Sequence, residues 1–186
     1  MRIKTIFNME NVKFIWRITA AHCISYFCAG IFALYAVGYK ELFSEGAMSS
    51  FMLPTDTPIV ALGPALQIIR GIIMALILLP LRKVIIEGEY GFVKLWLLIW
   101  GLSVISTFAA AMGSIDGFIY TNIPIIEQIM GYPEALLWVT LFVGTLKAFY
   151  ILEKRAFNIA AVIFVVLIIF MSIMGYLARL GILDAQ

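Results

Sequence analysis

The chain has 186 residues, 63% of them hydrophobic and 13% charged, with a net charge of +2. Soluble domains hold about 45–50% apolar and about 25% charged residues, and a soluble core of this size could not hide so much apolar surface. The solvent this composition demands is lipid, and the small positive balance, with no basic cluster beyond short loops, excludes a nucleic-acid partner.

A bilayer core about 30 Å thick takes about 20 apolar residues per helix, and five stretches have that length. The basic start, MRIKTIFNMENVKFIWR, has the charge of a signal-peptide n-region. The apolar run after it is too long for an h-region and ends in no small-residue cleavage site. His22 directly before Cys23 also disfavours lipidation of that cysteine. The first helix is therefore expected over 16–39 as a retained span. Cys23 and Cys28 project about 140° apart on it, too far round to bridge readily. With no CxxC, no Cys/His cluster and a single histidine, no metal or cofactor is expected. His22 shares a face with Ser25 and Tyr26. Such a histidine either handles protons or a ligand, or stays neutral and bonds a neighbouring helix.

The segment KELFSEGAMSSFMLPTDTP, with Gly46, Pro54 and Pro58 as breakers, separates this helix from the second, expected over 58–81. The second helix contains GPALQIIRGIIMALILLP. Arg70 stands near its middle, about 18 Å from either end at 1.5 Å per residue, and snorkelling covers only part of that distance. An arginine at a helix centre costs about 2.5–3.5 kcal/mol on insertion scales, so Arg70 is expected to face protein or water. Gln67 lies one turn earlier on the same face. Gly71 and Ala75 have the small-xxx-small spacing that permits close helix contact. No Asp or Glu lies inside any of the five apolar stretches. Arg70 therefore meets an anionic ligand (a lipid phosphate, a carboxylate or an inorganic anion), or Asp116 or Glu127 folds inward to it, or helix carbonyls solvate it.

The third helix is expected over 92–112, where Ser103, Ser106 and Thr107 supply hydroxyls for helix or backbone contacts. GSIDGFIYTNIPIIEQIMGYPE, residues 113–134, is semi-polar and too short to span. An ordered interfacial helix or re-entrant dip is expected there. The fourth helix is expected over 135–152 and the fifth over 157–180, all within one membrane domain, 1–186. Trp16, Tyr39, Tyr90, Trp138 and Tyr150 fall near helix ends, as an interfacial belt requires.

Charge asymmetry sets the orientation. With the N-terminus inside, inner segments hold Arg2, Lys4, Lys13, Arg17, Arg82, Lys83, Lys94, Lys147, Lys154 and Arg155, against Lys40 and Arg179 outside. The outer loops are acidic: Glu41, Glu45, Asp56, Asp116, Glu127 and Glu134. Five crossings then put the C-terminus outside.

The sequence thus predicts an all-α polytopic bundle of five transmembrane helices in the plasma (inner) membrane. The expected function is binding or transport of an anionic or lipidic ligand around Arg70, with Gln67, His22, Ser25 and Asp116 as further ligand-binding candidates. The alternative is a non-catalytic accessory or assembly subunit of a larger membrane complex. Expected partners are membrane lipids, other membrane subunits or a second copy of the chain. Enzymatic lipid chemistry ranks below both, because no P-loop, GxSxG, HExxH or paired intramembrane aspartate is present. No internal repeat is visible, which with an odd helix count disfavours an inverted-repeat transporter.

Overall fold

The computed structural model describes residues 8–45, 47–50, 52–107 and 109–183, and among these every regular element is helical. Arg2, Lys4 and Gly46 lie outside the described residues. Four helices are long and apolar enough to cross a membrane: Met9–Val37, Pro58–Leu81, Ile125–Leu152 and Arg155–Arg179.

Helix α1 (Met9–Phe32) begins well before the expected residue 16, because Asn8 caps it: its side chain accepts from Asn11 N at 2.8 Å, and Glu10 sits in the first turn. A wider π turn, Ala33–Val37, continues the helix to Gly38, whose φ of +76° ends it and turns the chain into α2 (Tyr39–Ser44). Residues 18–23 of α1 are buried without interruption. That burial makes α1 the hub of the bundle, packed on α3 (Pro58–Leu78) and α7 (Tyr132–Leu152), with α8 (Arg155–Arg179) on a third side. Gly71 and Ala75 form the seam with α1, as their spacing predicts. Both are buried, and a Cβ on Gly71 would stand 3.0 Å from the Thr19 Cα. The outward faces of α3 and α8 are apolar and exposed at Ile69, Ile73, Ile77, Ile163, Val166 and Phe170, as lipid-facing helices require.

The third expected helix is shorter than its apolar run. α4 (Gly91–Trp100) and the π turn Gly101–Ile105 give fifteen residues, about 22 Å. The helix stops because Ser106 Oγ donates to Gly101 O at 2.7 Å and its backbone leaves helical geometry, so residues 109–112 lie outside any helix. α4 packs on α7, and no comparable interface joins it to α3.

The 113–134 segment is ordered, as expected, but as two short helices, α5 (Ile115–Tyr120) and α6 (Ile125–Met130). Gln128, buried from α6, fastens them: its carbonyl accepts from Gly113 N at 3.0 Å, and its amide donates to Gly117 O at 2.8 Å. The other side of this pair remains apolar and exposed at Ile119, Ile125 and Ile126. Leu42, Phe43 and Met48 from the α2 region cluster with Ile123, so the two segments at this end cap each other.

Three contacts fix the helix directions. Arg82, just past α3, pairs with Glu10 at the start of α1 at 3.4 Å. Arg179 at the end of α8 donates to Thr57 O at the start of α3 at 3.3 Å. Tyr39, just past α1, donates to Glu134 at the start of α7. Helices α3 and α7 therefore run antiparallel to α1, and α8 runs parallel to it. A two-residue link, with Glu153 at φ +42°, joins α7 to α8.

Candidate functional site

The polar residues inside the bundle separate into two groups with different surroundings. The first is a hydrogen-bonded pair between α1 and α3, in which His22 Nδ1 is buried without a partner among the described residues. His22 is fully buried, and its Nε2 donates to Gln67 Oε1 at 3.1 Å, while the Gln67 amide points back to Gly63 O at 3.5 Å. Ser25 is satisfied within its own helix, donating to Ala21 O at 2.7 Å and His22 O at 3.0 Å. Rings of Tyr26, Trp138 and Phe142 surround the imidazole, with Trp138 edge-on at 5.7 Å.

The second group surrounds a cavity of about 220 Å³. Arg70 reaches it from α3, Tyr26 from α1, Ser103 from the π turn after α4, and Glu134 and Trp138 from α7, with Tyr39 beside Glu134. The Arg70 guanidinium lies 5.7 Å from the centre of the Trp138 ring. Among the described residues this ring is its only short-range partner: no hydrogen-bond acceptor or carboxylate lies within bonding distance. A cation–π contact at an exposed site is worth about 0.5–1 kcal/mol, and Arg70 is exposed rather than enclosed by the bundle. The arginine stands at the edge of the cavity with no other short-range partner among the described residues. The buried indole N–H of Trp138 also has no partner among the described residues.

Of the sequence candidates, only Arg70 lines this cavity. His22, Gln67 and Ser25 belong to the hydrogen-bonded pair and its helix, and Trp138 packs against both the imidazole and the guanidinium. The inward fold expected of Asp116 or Glu127 toward Arg70 is not found. Asp116 occupies the first turn of α5, where it suits free N–H groups, and Glu127 sits in α6. The one ion pair among the described residues is Arg82 with Glu10.

The acid that does share the cavity is Glu134, with Tyr39 donating to it. Sequence reasoning placed Glu134 among outer-loop acids and Tyr39 and Trp138 in an aromatic belt. Glu134 and Trp138 are four residues apart and therefore share a helix face; that spacing at the mouth of a span was the available signal.

No protein-family model matches the chain, and no curated protein or solved structure matches it.

Proposed function

We propose that this is a small multi-pass protein of the plasma (inner) membrane that binds or transports an anionic or lipidic ligand at the Arg70 cavity. The observation that carries this reading is a guanidinium beside a void with an aromatic face but, among the described residues, no acceptor. A phosphate or carboxylate there would accept the planar fork of N–H donors that the bundle leaves unused. The accessory-subunit alternative needs an arginine satisfied within the bundle, and Arg70 has no such partner among the described residues.

Five crossings, N-terminus in and C-terminus out, belong to this proposal. The helix directions support the count: α3 and α7 run the same way, so the chain must return between them, and α4 is the segment that makes the return. The positive-inside bias supports the sense. Reporter fusions after Lys83 and Lys154 should read as cytoplasmic, and a fusion near Glu45 as external. A cytoplasmic reading near Glu45 would reverse the orientation.

Binding is tested by native mass spectrometry of the detergent-purified protein with added phosphatidylglycerol and phosphatidylethanolamine. At least one should be retained by the unaltered chain and lost in Arg70→Met. Equal retention by both proteins would remove Arg70 from the site and refute the proposal.

A further inference from the structure

Resting on that reading, we infer that the ligand is a zwitterion whose oxyanion is held by Arg70 and whose primary ammonium is held by Glu134, and that it enters sideways between α3 and α4.

Opposite charges on one cavity carry the first half of this inference. Arg70 and Glu134 both line the space, yet they form no ion pair with each other. Trp138 is common to both sides of the space: Arg70 stands over its ring, and Glu134 is one helical turn before it on α7. A purely anionic ligand would meet Glu134 as a like charge in a poorly screened site. A purely cationic one would meet Arg70 the same way. A molecule with both charges satisfies both walls. Glu134 accepts one hydrogen bond from Tyr39, and a carboxylate has about four acceptor positions, so it can still receive an ammonium. The fixed phenol donor also holds the carboxylate in place.

Size and access carry the second half. A space of about 220 Å³ is below the roughly 300–1,000 Å³ of pockets for drug-sized ligands. It accommodates an ethanolamine phosphate or an amino acid but not a diacyl lipid. α3 and α4 both contribute to the wall but do not pack on one another as each packs on its other neighbours. Ser103, exposed from the π turn of α4, stands at this side together with exposed Arg70. Acyl chains attached to a headgroup in the cavity can run out through that gap. The shared chemistry is an oxyanion and a primary amine in one small molecule or headgroup; its source is either a lipid headgroup or a free small molecule.

The test compares phosphatidylethanolamine, phosphatidylglycerol, phosphatidylcholine and free phosphoethanolamine on the intact detergent-solubilised protein by competitive native mass spectrometry. The amine lipid should be retained about tenfold over phosphatidylglycerol and over phosphatidylcholine, whose quaternary nitrogen donates no hydrogen bond; tenfold is about 1.4 kcal/mol. Glu134→Gln, which can still accept from Tyr39, should level that preference without abolishing retention, whereas Arg70→Met should abolish retention of all three. Free phosphoethanolamine that displaces the amine lipid at similar concentration assigns the site to a soluble zwitterion. Failure to displace assigns it to the lipid. Arg70-dependent retention with phosphatidylglycerol equal or preferred would overturn the zwitterion and leave the anion site standing. A preference for the amine lipid that survives Glu134→Gln would likewise overturn the role of Glu134. No Arg70-dependent retention of any probe would overturn both readings.

Discussion

His22 and Arg70 both put a polar group among apolar helices, and the bundle treats them in opposite ways. His22 is fully buried and bonded to Gln67 across the α1–α3 seam. Arg70, three residues from that same Gln67, is exposed at the edge of a cavity and among the described residues has only the face of Trp138 as short-range partner. Trp138 touches both groups, edge-on to the imidazole and face-on to the guanidinium. The difference teaches that polarity within a span does not by itself mark a site. A polar residue whose partner is another helix is architecture; one whose partner is missing while space remains beside it is available for chemistry.

Four single substitutions and one double change would break or sharpen that contrast. The largest effect is expected for Arg70→Met on binding. Removing one member of a close charge pair costs about 2–5 kcal/mol, so retention of a phosphate-bearing probe should fall at least about thirtyfold. The ligand-free protein should stay folded, with unchanged or higher thermal stability. Unfolding of this variant would show that Arg70 is architectural too, and the contrast would disappear.

Gly71→Val should come next. The added atoms meet Thr19 backbone at the seam, and overpacking of this kind costs about 1–3 kcal/mol. Because both groups depend on how α3 lies against α1, stability in a denaturation titration and probe retention should fall together. A loss confined to one of them would mean that the two regions are not coupled through the seam.

Gln67→Leu should have a smaller effect, and on one side only. Interhelical hydrogen bonds in membranes average about 0.6 kcal/mol and reach about 1.7, so the melting temperature should drop modestly while probe retention is unaltered. His22→Leu in the same background should add little, since the first change already breaks the bond. A loss of binding in Gln67→Leu would return Gln67 to the ligand site.

Tyr39→Phe is expected to matter least for Arg70-dependent retention. It removes one donor from the Glu134 carboxylate, a bond to a charged group worth about 1.5–3 kcal/mol, and should weaken the preference for an amine-bearing probe without changing the requirement for Arg70. A gain in that preference would mean that the phenol competes with the ammonium.

Much of the frame was legible in the residues. Pro58–Leu81 matches its expected bounds, because Pro58 can open a helix and the apolar run is continuous. Other boundaries moved for local reasons that an apolar window does not register. Asn8 caps α1 ahead of the lipid-like run, and Ser106 closes α4 on Gly101 although the sequence stays apolar to Met112. At the candidate site, Arg70 announced itself by its cost. Glu134 did not, because it stands one residue outside the expected fourth span and looks like a loop acid. Its meeting with Arg70 depends on both helices packing against α1, which no local pattern encodes. The apolar exposed side of α5 and α6 was visible in IPII; the lock on their other side was not, since Gln128 reads as an ordinary polar residue until Gly113 and Gly117 are brought to it.

The central place of α1 has a consequence for biogenesis. This helix leaves the ribosome before the others, yet its middle is the part of the bundle with least claim on lipid: Thr19, His22 and Ser25 are buried there. Gln67, which bonds His22, follows 45 residues later, roughly 2–9 s at about 5–20 residues per second. Phe142, against the same imidazole, arrives roughly 6–24 s after it at that pace. Until α3 is made, the hub has no spokes. The insertion machinery, or α3 once it is made, must shelter the polar stripe of α1, so assembly of this protein proceeds inward-out, with its core element waiting in the membrane for the helices that will enclose it.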